Sequence, residues 1–152
     1  MSDEQLFQLA NFSVMPAWLL LALAPRWRWT RQLVHSALYP GLLGIAYTAG
    51  FWLADAGAGG ADGEGAGMSL AAIGAAFANP RVLLVGWVHY LAFDLFIGAW
   101  QARDAQRRGV PQLLLVPCLF LTFMAGPMGL ALYLAIRFAR TRSAMLAEEA
   151  TA

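Results

Sequence analysis

Four stretches of this chain, at about 5–24, 33–54, 82–101 and 112–136, each approach or exceed the roughly twenty apolar residues an α-helix needs to cross a hydrocarbon layer. Backbone N–H and C=O groups in hydrocarbon must find partners inside their own segment, so stretches of this kind leave helices as the architecture open to them. The composition agrees. The 152 residues are 60% hydrophobic and 12% charged, where a soluble domain carries about 25% charged residues. The expected fold is all-α: a polytopic membrane helical bundle of about four transmembrane helices plus one short interfacial helix. All of it forms a single integral membrane domain over 1–152.

Several functions are excluded at once. A net charge of +1 gives no reason to expect a nucleic-acid partner. The single cysteine, Cys118, rules out an internal disulfide and any CxxC redox or metal motif, and reads as a small apolar helix residue. No Gly-rich phosphate loop, GxSxG or catalytic triad pattern is found. Ala22-Leu23-Ala24 resembles a signal-peptidase site after an apolar run. The residues before that run include Asp3 and Glu4, where a signal peptide carries basic residues, so this segment is expected to be an uncleaved first span.

The loops orient the bundle. PRWRWTRQ (25–32) and ARDAQRRGVP (102–111) are basic, whereas DAGAGGADGEGAG (55–67) is acidic, glycine-rich and read as a flexible loop. The positive-inside rule assigns loops 25–32 and 102–111 to the cytoplasm and the acidic segments to the outside; the membrane is expected to be a bacterial inner membrane. MSLAAIGAAFANP (68–80) is too short to span and reads as an interfacial or re-entrant helix ended by Asn79-Pro80. One conflict follows. Four spans put the C-terminal tail, 137–152, outside, yet Arg137, Arg140 and Arg142 follow span 4 directly. A single kinked helix over 112–136 is the simpler reading; a re-entrant hairpin broken at AGPMG (125–129) would return the tail to the cytoplasm.

The third stretch carries the chemistry. GWVHYLAFDLFIGAW (86–100) holds a histidine and a carboxylate where each ionised group costs several kcal/mol, about 2.5–3.5 on insertion scales. At a rise of about 1.5 Å per residue, Asp94 lies roughly 10 Å from the cytoplasmic end of its span and His89 roughly 18 Å. The same arithmetic puts Asn11 and Thr122 near His89 in a midplane layer, and Tyr39, Pro117 and His35 nearer Asp94. His89 and Asp94 are five residues apart, about 140° around a helix, so they share no face. Asp94 aligns with Tyr90 and Trp87, and His89 with Phe93 and Phe96. A site using both lies between this helix and two neighbours. A structural role is the competing reading: Asp94 paired with Arg103 or Arg31 by snorkelling, and His89 satisfied by a carbonyl or Asn11. Two histidines and one carboxylate form a permissible metal ligand set, with His89 and Asp94 its members if a metal binds. No HxxxH or HExxH spacing supports one.

Three segments carry a family resemblance: FQLANFSVMPAWLLLALAPRW (7–27), GWVHYLAFDLFIGAWQARDAQRRGVP (86–111) and LLLVPCLFLTFMAGPMGLALYL (113–134). They resemble the ABA-deficient-4-like membrane proteins, whose plant members are required for neoxanthin formation from violaxanthin. Span 2 and the 55–67 loop depart from that pattern and inherit nothing, His35 included. The resemblance implies a membrane-embedded carotenoid-modifying protein, with isomerase-type acid/base chemistry that turns a 5,6-epoxide into an allenic alcohol. On that reading His89 and Asp94 are the catalytic pair, and Asn11, Trp18, Trp87, Tyr90 and Thr122 bind the substrate. Isomerisation needs no cofactor. The alternatives are oxidative cleavage to apocarotenoids, which calls for a metal such as iron, and a non-enzymatic scaffold or lipid-binding protein. A proton-coupled transporter is a further reading and requires an oligomer. The implied partners are the lipid bilayer and a carotenoid or other lipophilic polyene, and a homo-oligomer is compatible with them.

Overall fold

The computed structural model describes residues 1–53 and 69–146; the 55–67 loop and the last residues of the tail lie outside the described residues. The described chain is all-helical. Seven helices follow one another: α1 (Asp3–Leu23), α2 (Arg28–Leu33), α3 (Leu38–Leu53), α4 (Leu70–Phe77), α5 (Pro80–Arg108), α6 (Gln112–Ala125) and α7 (Pro127–Thr141).

Local chemistry sets most boundaries. Ser2 and Gln5 close a capping box at the start of α1. Asn79 caps α5 through a side-chain bond to the Arg81 N–H, with Pro80 in the first turn, and Gly109 ends the helix in the left-handed region. α3 begins at Leu38 rather than at 33. Residues 34–37 form a turn in which the Ser36 hydroxyl accepts from the Leu38 N–H. Pro40 then falls in the first helical turn, where an N–H has no intrahelical partner in any case.

Two helices, α1 and α5, are long and apolar enough to cross a membrane. They run parallel. Asp3 and Arg81 form an ion pair of 2.8 Å at one end, and at the other the Gln106 and Gln112 side-chain amides donate to the Pro25, Leu21 and Ala22 carbonyls. α5 is the axis of the molecule, with α1, α3, α4, α6 and α7 all packed against it. Its seam is small and apolar, with Leu91, Leu95, Ala99, Ala102 and Ala105 buried against Val14, Ala17, Trp18 and Leu21 of α1 and Leu115, Cys118 and Leu119 of α6.

The fourth stretch is a helical hairpin, which corrects the expectation of a single kinked helix over 112–136. Proline lacks an N–H and disfavours the α-region for the residue before it. Gly126 accordingly leaves the helix (φ 18°, ψ −83°) and Pro127 starts a new one. α7 then folds back along α6. A Cβ at Gly129 would overlap the backbone nitrogen of Thr122, so the two helices cross where only glycine fits. The expected tail from 137 is corrected as well, because α7 continues to Thr141. α6 is about 21 Å long by its 14 residues, so the tip at Gly126 comes to Asp94, partway along α5. The tail returns to the Arg108 end, where Arg108 donates to the Met145 carbonyl at 3.3 Å.

Candidate functional site

Asp94 is the buried carboxylate at the hairpin tip. A Cβ on Gly126 would overlap its carboxyl group, so the helix break and the acid are in direct contact. The Tyr90 hydroxyl, one turn earlier on the same helix, lies near the Asp94 carboxyl and the Gly126 backbone. The Asp94 Oδ2 is buried with no hydrogen-bond partner among the described residues. A buried acceptor left in this state is costly and calls for a ligand, water or proton.

Outward from this pair the α1–α5 seam carries aromatic and amide groups. The Trp87 ring lies 5.3 Å from that of Tyr90 and 5.5 Å from that of Phe7. Its indole Nε1–H donates to the Asn11 Oδ1 at 3.1 Å, while the Asn11 amide donates to the Phe7 carbonyl. Beyond Trp87 a cavity of about 460 Å³, lined by Asp3, Glu4, Phe7, Pro80, Leu83, Leu84 and Trp87, opens at the outer end of the seam. Trp87, Tyr90 and Asp94 stand at i, i+3 and i+7 on one helical face, so they form a single tract from that opening to the hairpin tip.

Two of the expected site residues lie deeper. Trp18 is buried against Gly98, its ring edge 2.6 Å from where a Cβ would stand, and meets Phe123 edge-on at 5.5 Å. Thr122 donates to the Cys118 carbonyl at 2.8 Å and to the Gln101 Oε1 at 3.1 Å. The hairpin therefore takes Thr122 out of the His89 layer in which uniform depth counting along one span had put it.

His89 stands apart from Asp94. The expectation of one site using both residues is corrected: His89 is exposed, stacked on Phe93 at 4.6 Å and beside Tyr47 of α3 at 5.3 Å. Five residues of helical rotation separate the two side chains, and among the described residues no element folds round to reunite them. Asn11 and Thr122 likewise bond to Trp87 and Gln101 and not to His89. Among the described residues no three His, Cys, Asp or Glu side chains gather into a metal site.

The arginine pairing anticipated for Asp94 occurs at Asp104 instead. Its Oδ2 accepts from the Tyr133 hydroxyl at 2.6 Å and the Arg137 Nε at 2.8 Å, and its Oδ1 from the Arg108 Nε at 2.9 Å. Arg137 is 1% exposed and also donates to the Ser143 and Met145 carbonyls. Tyr133 was overlooked in the sequence because its role depends on the hairpin. The signal available was the seven-residue spacing of Asp94 and Gln101, with Asp104 three further on, which puts all three on the face of α5 toward α6 and α7.

The sequence profile of the ABA DEFICIENT 4-like family matches residues 5–133, a segment that contains all but the first two residues of α1, all of α2 to α6, the hairpin tip, and Trp87, Tyr90 and Asp94. No curated protein and no solved structure is significantly similar to the chain. The match extends over most of the sequence and includes both sides of the candidate site. The chain belongs to the ABA DEFICIENT 4-like family.

Proposed function

We propose that the protein is a membrane-embedded carotenoid-modifying enzyme of the isomerase type, with Asp94 and Tyr90 as its proton-transferring pair. Family membership supports a role related to the carotenoid, neoxanthin or abscisic acid pathway. The observation that carries the finer reading is the buried Asp94 carboxyl with an unpartnered oxygen, one helical turn from Tyr90 at the end of an aromatic tract.

The chemistry closes on these two residues. In epoxide-to-allene isomerisation the C–O bond at C6 breaks, the C7 proton leaves, and the C7–H electron pair forms the second double bond of the allene. The freed oxygen on C5 takes a proton and becomes a hydroxyl. Asp94 as carboxylate accepts the C7 proton while the Tyr90 hydroxyl supplies the proton to oxygen. Proton transfer from Asp94 to Tyr90, one helical turn away, then restores both groups, and no oxidant, reductant or cofactor is consumed. Trp87 and Phe7 offer flat apolar surface to a polyene, and Asn11 holds the Trp87 indole in place. In this reading α1, α3 and α5 cross a bacterial inner membrane, the α6–α7 hairpin enters it from the cytoplasmic side, and loops 25–32 and 102–111 are cytoplasmic. The short arginine-bearing loops at one end support that orientation.

The test is pigment analysis by chromatography with mass detection in carotenoid-accumulating cells. The wild type is expected to yield an isomer of unchanged mass from an epoxy-carotenoid. Asp94→Asn and Tyr90→Phe, at matched protein level, should lower its formation roughly 10²-fold or more, whereas His89→Ala should retain it. Full product from Asp94→Asn would overturn the assignment, and a shortened product would point to oxidative cleavage. A profile unchanged by the wild type across epoxide and non-epoxide carotenoids would favour the scaffold reading.

A further inference from the structure

The face of α5 turned toward α3 carries a second cleft, separate from the Asp94 tract. It encloses about 200 Å³ between the 34–37 turn and the inner part of α5, and is lined by Val34, His35, Ser36, Ala37, Pro40, Leu95, Phe96, Ala99 and Arg103. Three features define its chemistry. The His35 Nε2 is buried with no hydrogen-bond partner among the described residues. Arg103 and Arg31 are both close enough to act on His35 electrostatically, and burial together with these two charges holds its imidazole down to about 4, so it is neutral at pH 7. Outward along α5, the exposed His89, Phe93 and Phe96 share one face at i, i+4 and i+7, with Tyr47 beside His89. From Arg103 to His89 is 14 residues, roughly 21 Å along α5, with the aromatic row of Phe96, Phe93 and His89 over its outer half.

We propose that this cleft is a binding site for a long-chain carboxylate, its head between His35 and Arg103 and its chain along Phe96 and Phe93. A carboxylate supplies the acceptor that an Nε2–H imidazole requires and matches the positive potential of the two arginines. The apolar tract beyond the cleft takes an extended chain and offers it no polar group before His89. Phe96, Phe93 and His89 form one row along α5, which suits a single chain. Asp94, Tyr90 and Trp87 lie on another face of α5, so the site stands whether or not the Asp94 reading holds.

The experiment uses the full chain purified in detergent and a photoactivatable diazirine derivative of palmitate, with labelled residues located by mass spectrometry. Labelling is expected within 34–47 and 89–103, and palmitate should compete at roughly tenfold lower concentration or better than its methyl ester, the loss expected when one charge-assisted contact is removed. His35→Ala and Arg103→Gln should each reduce labelling at these positions. Ala37→Trp, a substitution at an exposed wall residue that fills the cleft without removing a polar group, should abolish it, and Trp52→Ala on the outer face of α3 should leave it unchanged. Gel-filtration profiles and melting temperatures identify any variant that has lost its fold, in which case Ala37→Trp and the ester competition decide alone. Equal competition by methyl palmitate overturns the proposal, as does retention of label in Ala37→Trp. Displacement by inorganic phosphate at the same concentration would make this a soluble-anion site, and preferential displacement by phosphatidylglycerol vesicles would make it a phospholipid site; either overturns the single-chain carboxylate.

Discussion

Single residues decide how closely the backbones approach at the centre of this molecule. Gly126 and Gly129 flank the hairpin tip, and each stands where a methyl group would collide: with the Asp94 carboxyl at 126, and with the Thr122 backbone nitrogen and hydroxyl at 129. The two collisions differ in consequence. A carboxyl group can rotate, whereas a backbone nitrogen inside a helix cannot move without displacing the helix. Gly129→Ala is therefore expected to separate α6 from α7 and to cost about 1–3 kcal/mol, the range for overpacking a filled site, read as a lowered melting temperature in detergent. Gly126→Ala should perturb the environment of Asp94 with a smaller loss of stability. If Gly129→Ala melts with the wild type, the close crossing does not bear on stability.

At the scale of elements, the α6–α7 hairpin is held to α5 by one buried polar cluster. Asp104 accepts from Tyr133, Arg137 and Arg108 at once, and the two arginines reach on to carbonyls of the tail. Every oxygen of that carboxylate is satisfied, which distinguishes it from Asp94, where one is not. A satisfied network of this kind specifies a unique docking geometry, and removing one partner leaves a charge in a poor solvent. Asp104→Asn should cost about 3–5 kcal/mol by stranding Arg137, and proteolysis should then cut the tail near 142–146 faster. The Asp104→Leu, Arg137→Met double variant should recover much of that loss, since neither charge remains. A double variant less stable than Asp104→Asn would contradict this account of the cluster.

For the whole molecule, the hairpin changes which end the C-terminus occupies. Asp3 and Arg81 mark one end, and the turn at 109–111, Ser143 and Met145 the other. On the proposed topology, with α1, α3 and α5 crossing and a hairpin that enters and leaves on one side, Arg137, Arg140 and Arg142 join the basic loops, and the conflict with the positive-inside rule disappears. In a Cys118→Ala background, a membrane-impermeant maleimide applied to intact cells should label Ser2→Cys and leave Ser143→Cys and Arg107→Cys unlabelled until the membrane is opened. Labelling of Ser143→Cys together with Ser2→Cys in intact cells would restore the four-span topology.

Although α5 runs on to Arg108 through residues read as the 102–111 loop, the sequence by itself determined the helical class, the short helix ended by Asn79-Pro80 and the 140° between His89 and Asp94. Each of these is a local property: capping, turn chemistry and rotation per residue act within a few positions of the residue that causes them. Family membership was legible too, because its motifs are contiguous. Tertiary structure alone decided which neighbour each polar side chain meets. Whether AGPMG kinks one helix or turns two back on each other depends on Tyr133 and Arg137 finding Asp104 about thirty residues away, and local rules cannot weigh that contact. The same event brought Gly126 to Asp94, moved Thr122 to Gln101 and left His89 on the far side of α5. Depth along a helix is additive in residue number, so it can be counted; partnership across helices is set by packing and has to be observed.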